Sequence, residues 1–169
     1  ELEDVEFIPL NDVNALNLGD TLRGLAEGGI VFMNSSKTTP EEVWADVPLW
    51  ARKRLRESGA RVMSLDTFKV ADEVATNVDL RVRMMGVVLV GVFLKATPFA
   101  ERFGTGFEQL MEGVEKAVRG YWGKRGEQVV QDNLTCIRRG YEEVFEVPRE
   151  LINDKLLDTA VPNLLPVIS

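Results

Sequence analysis

The stretch Gly28-Gly29-Ile30-Val31-Phe32-Met33-Asn34-Ser35-Ser36 decides the fold class. A glycine pair stops one element. Ile30 to Asn34 is then apolar on both alternating faces, as a central strand in a helix-covered sheet is, and a polar exit follows. In an open α/β sheet this order brings backbone amides and short polar side chains to the carboxyl edge of a strand, where such sheets bind ligands or partners.

Downstream of this stretch, Thr39 reads as a helix N-cap, with Pro40 at the first helical position and Glu42 at the third, a capping box. The helical pattern carrying Trp44, Pro48, Trp50 and Leu55 is predicted to break at Pro48 into two short helices and to stop at Gly59. Arg61 to Leu65 alternates and runs into Asp66-Thr67, a second strand closing on another helix N-cap. Strand, helix, strand, helix is a βαβα unit, which predicts parallel pairing with a right-handed crossover. Upstream, Val5 to Leu10 reads as a strand and Leu16 to Ala26 as a short helix ending at the glycine pair.

The second half reads as helical. The apolar run from Met84 to Leu94 falls well short of the roughly 20 residues that span a bilayer, so it predicts a buried helix and no membrane span. Phe107, Leu110, Met111, Val114 and Val118 keep spacings of three and four. Val130, Leu134, Ile137, Tyr141 and Val144 do the same after a turn at Gly123 to Gly126, so each helix has one apolar stripe for the sheet or for the other helix. After Pro148 the pattern dissolves into Pro162, Pro166 and scattered leucines. Residues 1–147 are therefore expected to form the α/β domain and residues 148–169 a tail or connector lying on a partner.

Composition excludes several classes of function. The 169 residues, 45% hydrophobic and 28% charged, suit one globular domain, and a net charge of −7 argues against a nucleic-acid partner and for a basic protein face. There is no histidine, which removes the commonest general base, the commonest metal ligand and every Ser/His or Cys/His nucleophile. Cys136 is the only cysteine, so no disulfide, structural zinc site or iron–sulfur cluster can be built from this chain alone, and a reduced, cytoplasmic setting fits. No basic leader precedes an apolar stretch after Glu1, so no secretory signal is expected, and the absent initiator Met suggests a processed or truncated chain.

The candidate binding residues are Asn34, Ser35, Ser36 and Lys37, where a strand ends and a helix begins. A phosphate or a carbonyl could dock there; equally, the four could form a plain loop and cap network. The basic cluster Arg52, Lys53, Arg54 and Arg56, flanked by Glu41, Glu42 and Glu57, reads as a solvated helix face rather than a phosphate site. Asp66 and Lys69 read as a cap and a turn residue rather than an acid/base pair. Met84-Met85-Gly86 and Gly91 read as tight packing rather than a cofactor groove. Asn133, poorly suited to a helix interior, is expected to fix a helix-to-loop contact.

The order of four segments resembles the gamma component, or gamma-type domain, of the thiamine-diphosphate-dependent 2-oxoacid:ferredoxin (acceptor) oxidoreductases, the pyruvate:ferredoxin oxidoreductase group. They are Gly28 to Ser35, Thr39-Pro40-Glu-Glu-Val-Trp44, Leu65-Asp66-Thr67-Phe68-Lys69-Val70-Ala71, and Gly123-Lys-Arg-Gly126-Glu127 through Asn133. The resemblance implies a three-layer αβα sandwich with a mainly parallel central sheet and a helical C-terminal half. It implies a non-catalytic component of an enzyme that oxidatively decarboxylates a 2-oxoacid, with a role in assembly and, in some members, in coenzyme A access; the strand-end loop of Asn34, Ser35, Ser36 and Lys37 is the candidate for presenting coenzyme A. Thiamine diphosphate, Mg and 4Fe–4S clusters are then expected on partner subunits or domains, and ferredoxin or another electron acceptor is reached through the complex. Two features depart from the family pattern: the glycine-rich segment usual near its start has no equivalent before Val5, and Arg81-Val-Arg83-Met-Met-Gly86 replaces an asparagine-led stretch. The rival reading is a stand-alone α/β nucleotide- or CoA-binding module, which would need a glycine-rich loop after the first strand.

Overall fold

Gly28 takes a positive φ of 73° that L side chains rarely adopt, and this turn feeds the chain into the sheet. The computed structural model describes residues 7–10, 12, 15–18, 22, 25–97 and 106–160. They divide into two units, one formed by the segments 1–66 and 145–169 and the other by Thr67–Val144.

The first unit holds the sheet. Its elements are β1 (Phe7–Leu10), α1 (Ala15–Leu18), β2 (Ile30–Asn34), α2 (Pro40–Ala45), α3 (Leu49–Ser58), β3 (Arg61–Leu65), β4 (Phe145–Val147) and α8 (Arg149–Asn153), followed by a 3₁₀ segment, Lys155–Ala160. The strand order is β1-β2-β3-β4. β1, β2 and β3 are parallel, with Phe7 opposite Ile30 and Ile30 opposite Arg61, while β4 runs antiparallel on β3 with Met63 opposite Glu146. Ile30, Val31, Phe32 and Met33 are all buried, so both faces of β2 are covered, as the sequence predicts. One face carries Val31, Met33, Val62 and Val147 into a core with Val43, Trp44, Val47, Ala51, Leu55 and Ile152. The buried Ser64 hydroxyl donates to the Met33 carbonyl at 2.7 Å, so the polar side chain costs nothing there.

The Thr39 cap forms as expected: its Oγ1 accepts from the Glu42 amide at 3.2 Å and donates to the Glu42 carboxylate at 2.8 Å. The helical stretch breaks at Pro48, and Gly59 ends α3 in the left-handed conformation at φ 65°. Of the strand expected over Val5 to Leu10, Phe7–Leu10 forms, and Val5 and Glu6 lie outside the described residues; of the helix expected over Leu16 to Ala26, Leu16 to Leu18 are helical and Leu22, Leu25 and Ala26 are not, with residues 19–21, 23 and 24 outside the described residues.

The basic cluster is the clearest departure from expectation. Arg52 is buried: its guanidinium donates to the carbonyls of Val47, Trp44 and Leu157 at 3.0, 2.8 and 3.1 Å and lies 5.2 Å from the centre of the Trp44 ring. Arg56 donates to the Ile152 carbonyl at 2.8 Å and grips Asp158 with both terminal nitrogens at 3.0 and 3.2 Å. Only Lys53 of the four is exposed. The flanking acids do not account for these arginines: the Val47 and Trp44 carbonyls are close by in sequence, but the Ile152 and Leu157 carbonyls and Asp158 come from a stretch about a hundred residues later. That stretch is accordingly folded: α8 buries Ile152, and Arg149 donates to the carbonyls of Gly59 and Ala60. Residues 161–169 lie outside the described residues.

The second unit is helical: α4 (Thr67–Val74), a 3₁₀ turn (Val78–Leu80), α5 (Arg81–Ala96), α6 (Phe107–Trp122), a 3₁₀ turn (Gly123–Arg125) and α7 (Glu127–Glu143). α5 and α7 cross at glycines on both sides. A Cβ on Gly91 would stand 2.0 Å from the Ile137 carbonyl oxygen, and one on Gly140 2.2 Å from that of Val88, so only glycine permits this approach. The packing reading of Gly91 therefore holds, whereas nothing lies within 4 Å of a Cβ on Gly86. Asn133 does not reach a loop. Its side-chain amide donates to the Val129 carbonyl one turn back, at 2.7 Å. The loop contact belongs to its neighbour Asp132, whose carboxylate accepts from Thr76 at 3.0 Å and from Gln128 at 2.8 Å.

Candidate functional site

The strand-exit loop at Asn34, Ser35, Ser36 and Lys37 lies at the carboxyl end of β2, the side of a parallel sheet on which ligands collect. The Ser35 amide donates to the Leu65 carbonyl at the same end of β3, 3.3 Å away, which fixes the loop to the neighbouring strand. The Ser35 hydroxyl accepts from the Lys37 amide at 3.1 Å, closing a local turn. Asn34 and Ser35 are half-buried; Ser36 and Lys37 are exposed.

This geometry limits what the loop can hold. The Lys37 N–H is spent on Ser35 and the Glu42 N–H on Thr39. Glu41 and Glu42 put two carboxylates into the first turn of α2, where the helix dipole would otherwise favour an added anion. The side chains exposed at this edge toward an anionic group include the Ser36 hydroxyl and the Lys37 ammonium. Asp66 directly precedes α4, as expected of a cap, and Lys69 is exposed in the first turn of that helix.

The second unit contributes ion pairs rather than a reactive centre. A shallow groove of about 260 Å³ between α6 and α7 is lined by Glu108, Glu112, Glu115, Gln131, Arg138 and Arg139 among others. Its arginines are engaged: Arg138 with Glu108 and Glu142, Arg139 with Glu143 and Glu73. The Cys136 thiol is buried with its sulfur 4.0 Å from that of Met84. Burial first, and then the nearby Asp132 charge, push it up to about 11, the opposite of what a nucleophilic cysteine needs. A 4Fe–4S cluster takes four thiolates and this chain has one, so its own residues do not fit that group. Among the described residues no group of three or more Cys, Asp or Glu is arranged to hold a metal ion.

The fold and this edge define an α/β domain whose strand-exit loop lies at the carboxyl end of a mainly parallel sheet. The family model described as pyruvate ferredoxin/flavodoxin oxidoreductase matches residues 1–143, and the chain belongs to that family. The pyruvate-flavodoxin oxidoreductase of Trichormus variabilis is 21% identical over 146 residues, covering 86% of this chain and 11% of the relative. A relative from Synechocystis sp. is 21% identical over 169 residues, covering 98% of this chain and 13% of its own length. The chain thus spans about an eighth of the relatives it matches. Among solved structures, pyruvate oxidoreductase subunit PORC of Thermotoga maritima shares the fold, with a TM-score of 0.54 and 20% identity over 84% of this chain and 65% of that one.

Sequence reasoning missed the buried clamp of Arg52 and Arg56 on Asp158. A signal for it was present: residues 52 and 56 lie one turn apart on the same side of α3 as the apolar Ala51 and Leu55, a poor place for two arginines unless carbonyls and a carboxylate meet them.

Proposed function

We propose that this chain is the gamma-type domain of a thiamine-diphosphate-dependent 2-oxoacid:ferredoxin or flavodoxin oxidoreductase, a component that serves assembly and carries no catalytic group of its own. The observation that carries this reading is the family match over residues 1–143. The chemistry of the chain agrees with it, since it has no histidine and its one thiol is buried and held protonated. The electron-transferring clusters and thiamine diphosphate with its Mg ion then reside on other polypeptides or domains of a cytoplasmic enzyme. Purifying the native enzyme through a tag on this chain tests the reading: brown iron–sulfur polypeptides and bound thiamine diphosphate are expected with it. A colourless chain recovered alone would return the assignment to a stand-alone α/β binding module.

The exposure of Ser36 and Lys37 at the carboxyl edge of β2 favours a second role within the same enzyme, as a surface for the phosphates of coenzyme A. Lys37→Glu in the whole enzyme is expected to raise the KM for coenzyme A while leaving 2-oxoacid decarboxylation intact. An unchanged KM would remove the loop from that role.

A further inference from the structure

The buried residues of α6 are Met111 and Val118. On the opposite side Gln109, Gly113, Lys116 and Gly120 follow one another at steps of four, three and four, and all four are exposed, with Glu112 on one flank and Ala117 and Tyr121 on the other. Tyr121, 81% exposed, is the kind of aromatic that interfaces favour. The two glycines of this side are not demanded by internal packing. A Cβ on Gly113 or Gly120 would meet nothing within 4 Å, whereas Gly91 and Gly140 are glycines because α5 and α7 touch there. Each destabilises the helix relative to alanine. What they provide is bare helix backbone, the room that a second helix needs for a close approach.

The charges on this side select the occupant. Acids stand in the first half of α6, at Glu108 and Glu112, and bases from its middle onward, at Lys116 and then at Lys124 and Arg125 of the 3₁₀ turn that follows. Glu112, Lys116, Lys124 and Arg125 are exposed and make no ion pair among the described residues. The other charges of α6 are already matched: Glu115 with Arg119, Arg119 also with Glu127 of α7, and Glu108 with Arg138 of α7 at 3.5 Å. A partner of one sign would attract one half of this side and repel the other, and a second copy laid parallel would set acid on acid. A second copy laid antiparallel sets the acidic half on the basic half twice, by two-fold symmetry, and opposes the two helix dipoles. With Gln109 over Gly120 of the second copy, the two-fold passes between Val114 and Glu115. Lys116 then lies over the bare backbone of Gly113 of the second copy and beside its Glu112. The net charge of −7 repels two chains at a distance, but physiological salt cuts this off within about 8 Å, so the charges in contact decide.

We propose that the Gln109–Gly113–Lys116–Gly120 side of α6 is a self-association surface, on which a second copy of this chain packs its own α6 antiparallel and Lys116 of each copy meets Glu112 of the other. The inference does not depend on the function proposed above, and it adds a two-fold contact between copies.

The test is sedimentation equilibrium of the full chain, which is expected to be dimeric at about 100 µM. Glu112→Lys and Lys116→Glu, each alone, turn both symmetry-related attractions into repulsions. Each is expected to raise the dimer dissociation constant about thirtyfold, about 2 kcal/mol. Mixed one to one, the two variants again set Lys on Glu at both contacts, so the mixture is expected to recover the parent affinity as a heterodimer. Gly113→Leu, which fills the approach but favours the helix, is expected to abolish the dimer while far-UV circular dichroism shows no loss of helix. A parent chain that is monomeric at about 100 µM overturns the proposal and leaves this side of α6 to a partner of different sequence. So does a dimer that the two charge reversals leave unweakened, or one whose loss the mixture does not repair.

Discussion

Alanine placed at two different glycines of the same helix, Gly91 and Gly86, should change stability in opposite directions. At Gly91 the new methyl would stand 2.0 Å from the Ile137 carbonyl oxygen, 2.8 Å from the Tyr141 nitrogen and 2.9 Å from the Ile137 carbonyl carbon. All three are backbone atoms, so no side-chain rotation can yield. A comfortable carbon-to-oxygen contact is about 3.3 Å, so α5 and α7 would have to part by roughly 1.3 Å. A gap of even 0.5–1 Å forfeits about a quarter to a half of each dispersion contact. The contacts at risk include those of Met84 and Cys136, whose sulfurs meet at 4.0 Å. Taking overpacking at about 3 kcal/mol, the upper part of its usual range, and subtracting the roughly 1 kcal/mol that alanine gains over glycine inside a helix, Gly91→Ala costs about 2 kcal/mol. For a chain of this length that lowers Tm by about 4–8 °C. Gly140→Ala, 2.2 Å from the Val88 carbonyl oxygen, belongs to the same crossing. Parting the helices once relieves both clashes, so the double substitution should cost clearly less than the sum. Gly86→Ala meets nothing within 4 Å and should raise stability by about 0.5–1 kcal/mol. Equilibrium urea unfolding followed by far-UV circular dichroism measures all four variants. A Gly91→Ala chain as stable as the parent, or strictly additive costs at 91 and 140, would refute the reasoning.

Asp158→Asn removes the charge that Arg56 holds with two hydrogen bonds and that stands 3.5 Å from Arg52, leaving the buried Arg52 short of its counter-charge. Thermal unfolding should show a loss of about 2 kcal/mol, below the full cost of breaking a buried pair because asparagine keeps one acceptor. Hydrogen bonds from Arg119 first, and from Gln131, hold the Glu127 carboxyl down at about 2 against an ordinary 4.5. Its contribution to stability is thus whole above about pH 4.5 and disappears as pH falls toward 2, and an NMR titration of the Glu127 side chain, repeated for Arg119→Ala, should show the midpoint return to the ordinary range. The Cys136 thiol titrates near 11 in the folded chain against 9.0 when free. Its ionisation in the unfolded chain therefore lowers stability as pH rises from about 9 to 11, and a thiol reagent at pH 8 should label Cys136 only after denaturant is added.

What could be read from the sequence was whatever is set by neighbours a few residues away. The Thr39 cap, the break at Pro48, the left-handed stop at Gly59 and the strand Ile30–Asn34 are all local, and each stands where the pattern put it. β4 went unread because three residues on a sheet edge are too few for an alternation to register. Arg52 and Arg56 were misread because their partners, the Leu157 carbonyl and Asp158, arrive from about a hundred residues downstream. Local windows register charge but not the distant groups that neutralise it.

The candidate site divides along the same line. Asn34, Ser35, Ser36 and Lys37 could be placed at the sheet edge from sequence, because a strand followed by a capped helix fixes where the exit loop must lie. What the loop still has free could not be read, since it depends on which donors are already spent. The Lys37 and Glu42 amides both are, and Glu41 and Glu42 occupy the helix start. With those two amides spent, the charge that this edge offers an anion is the Lys37 ammonium, a solvated point charge on a flexible stem. Such a contact raises local concentration and steers an anionic ligand, so its signature belongs in KM and in salt dependence, with kcat left alone.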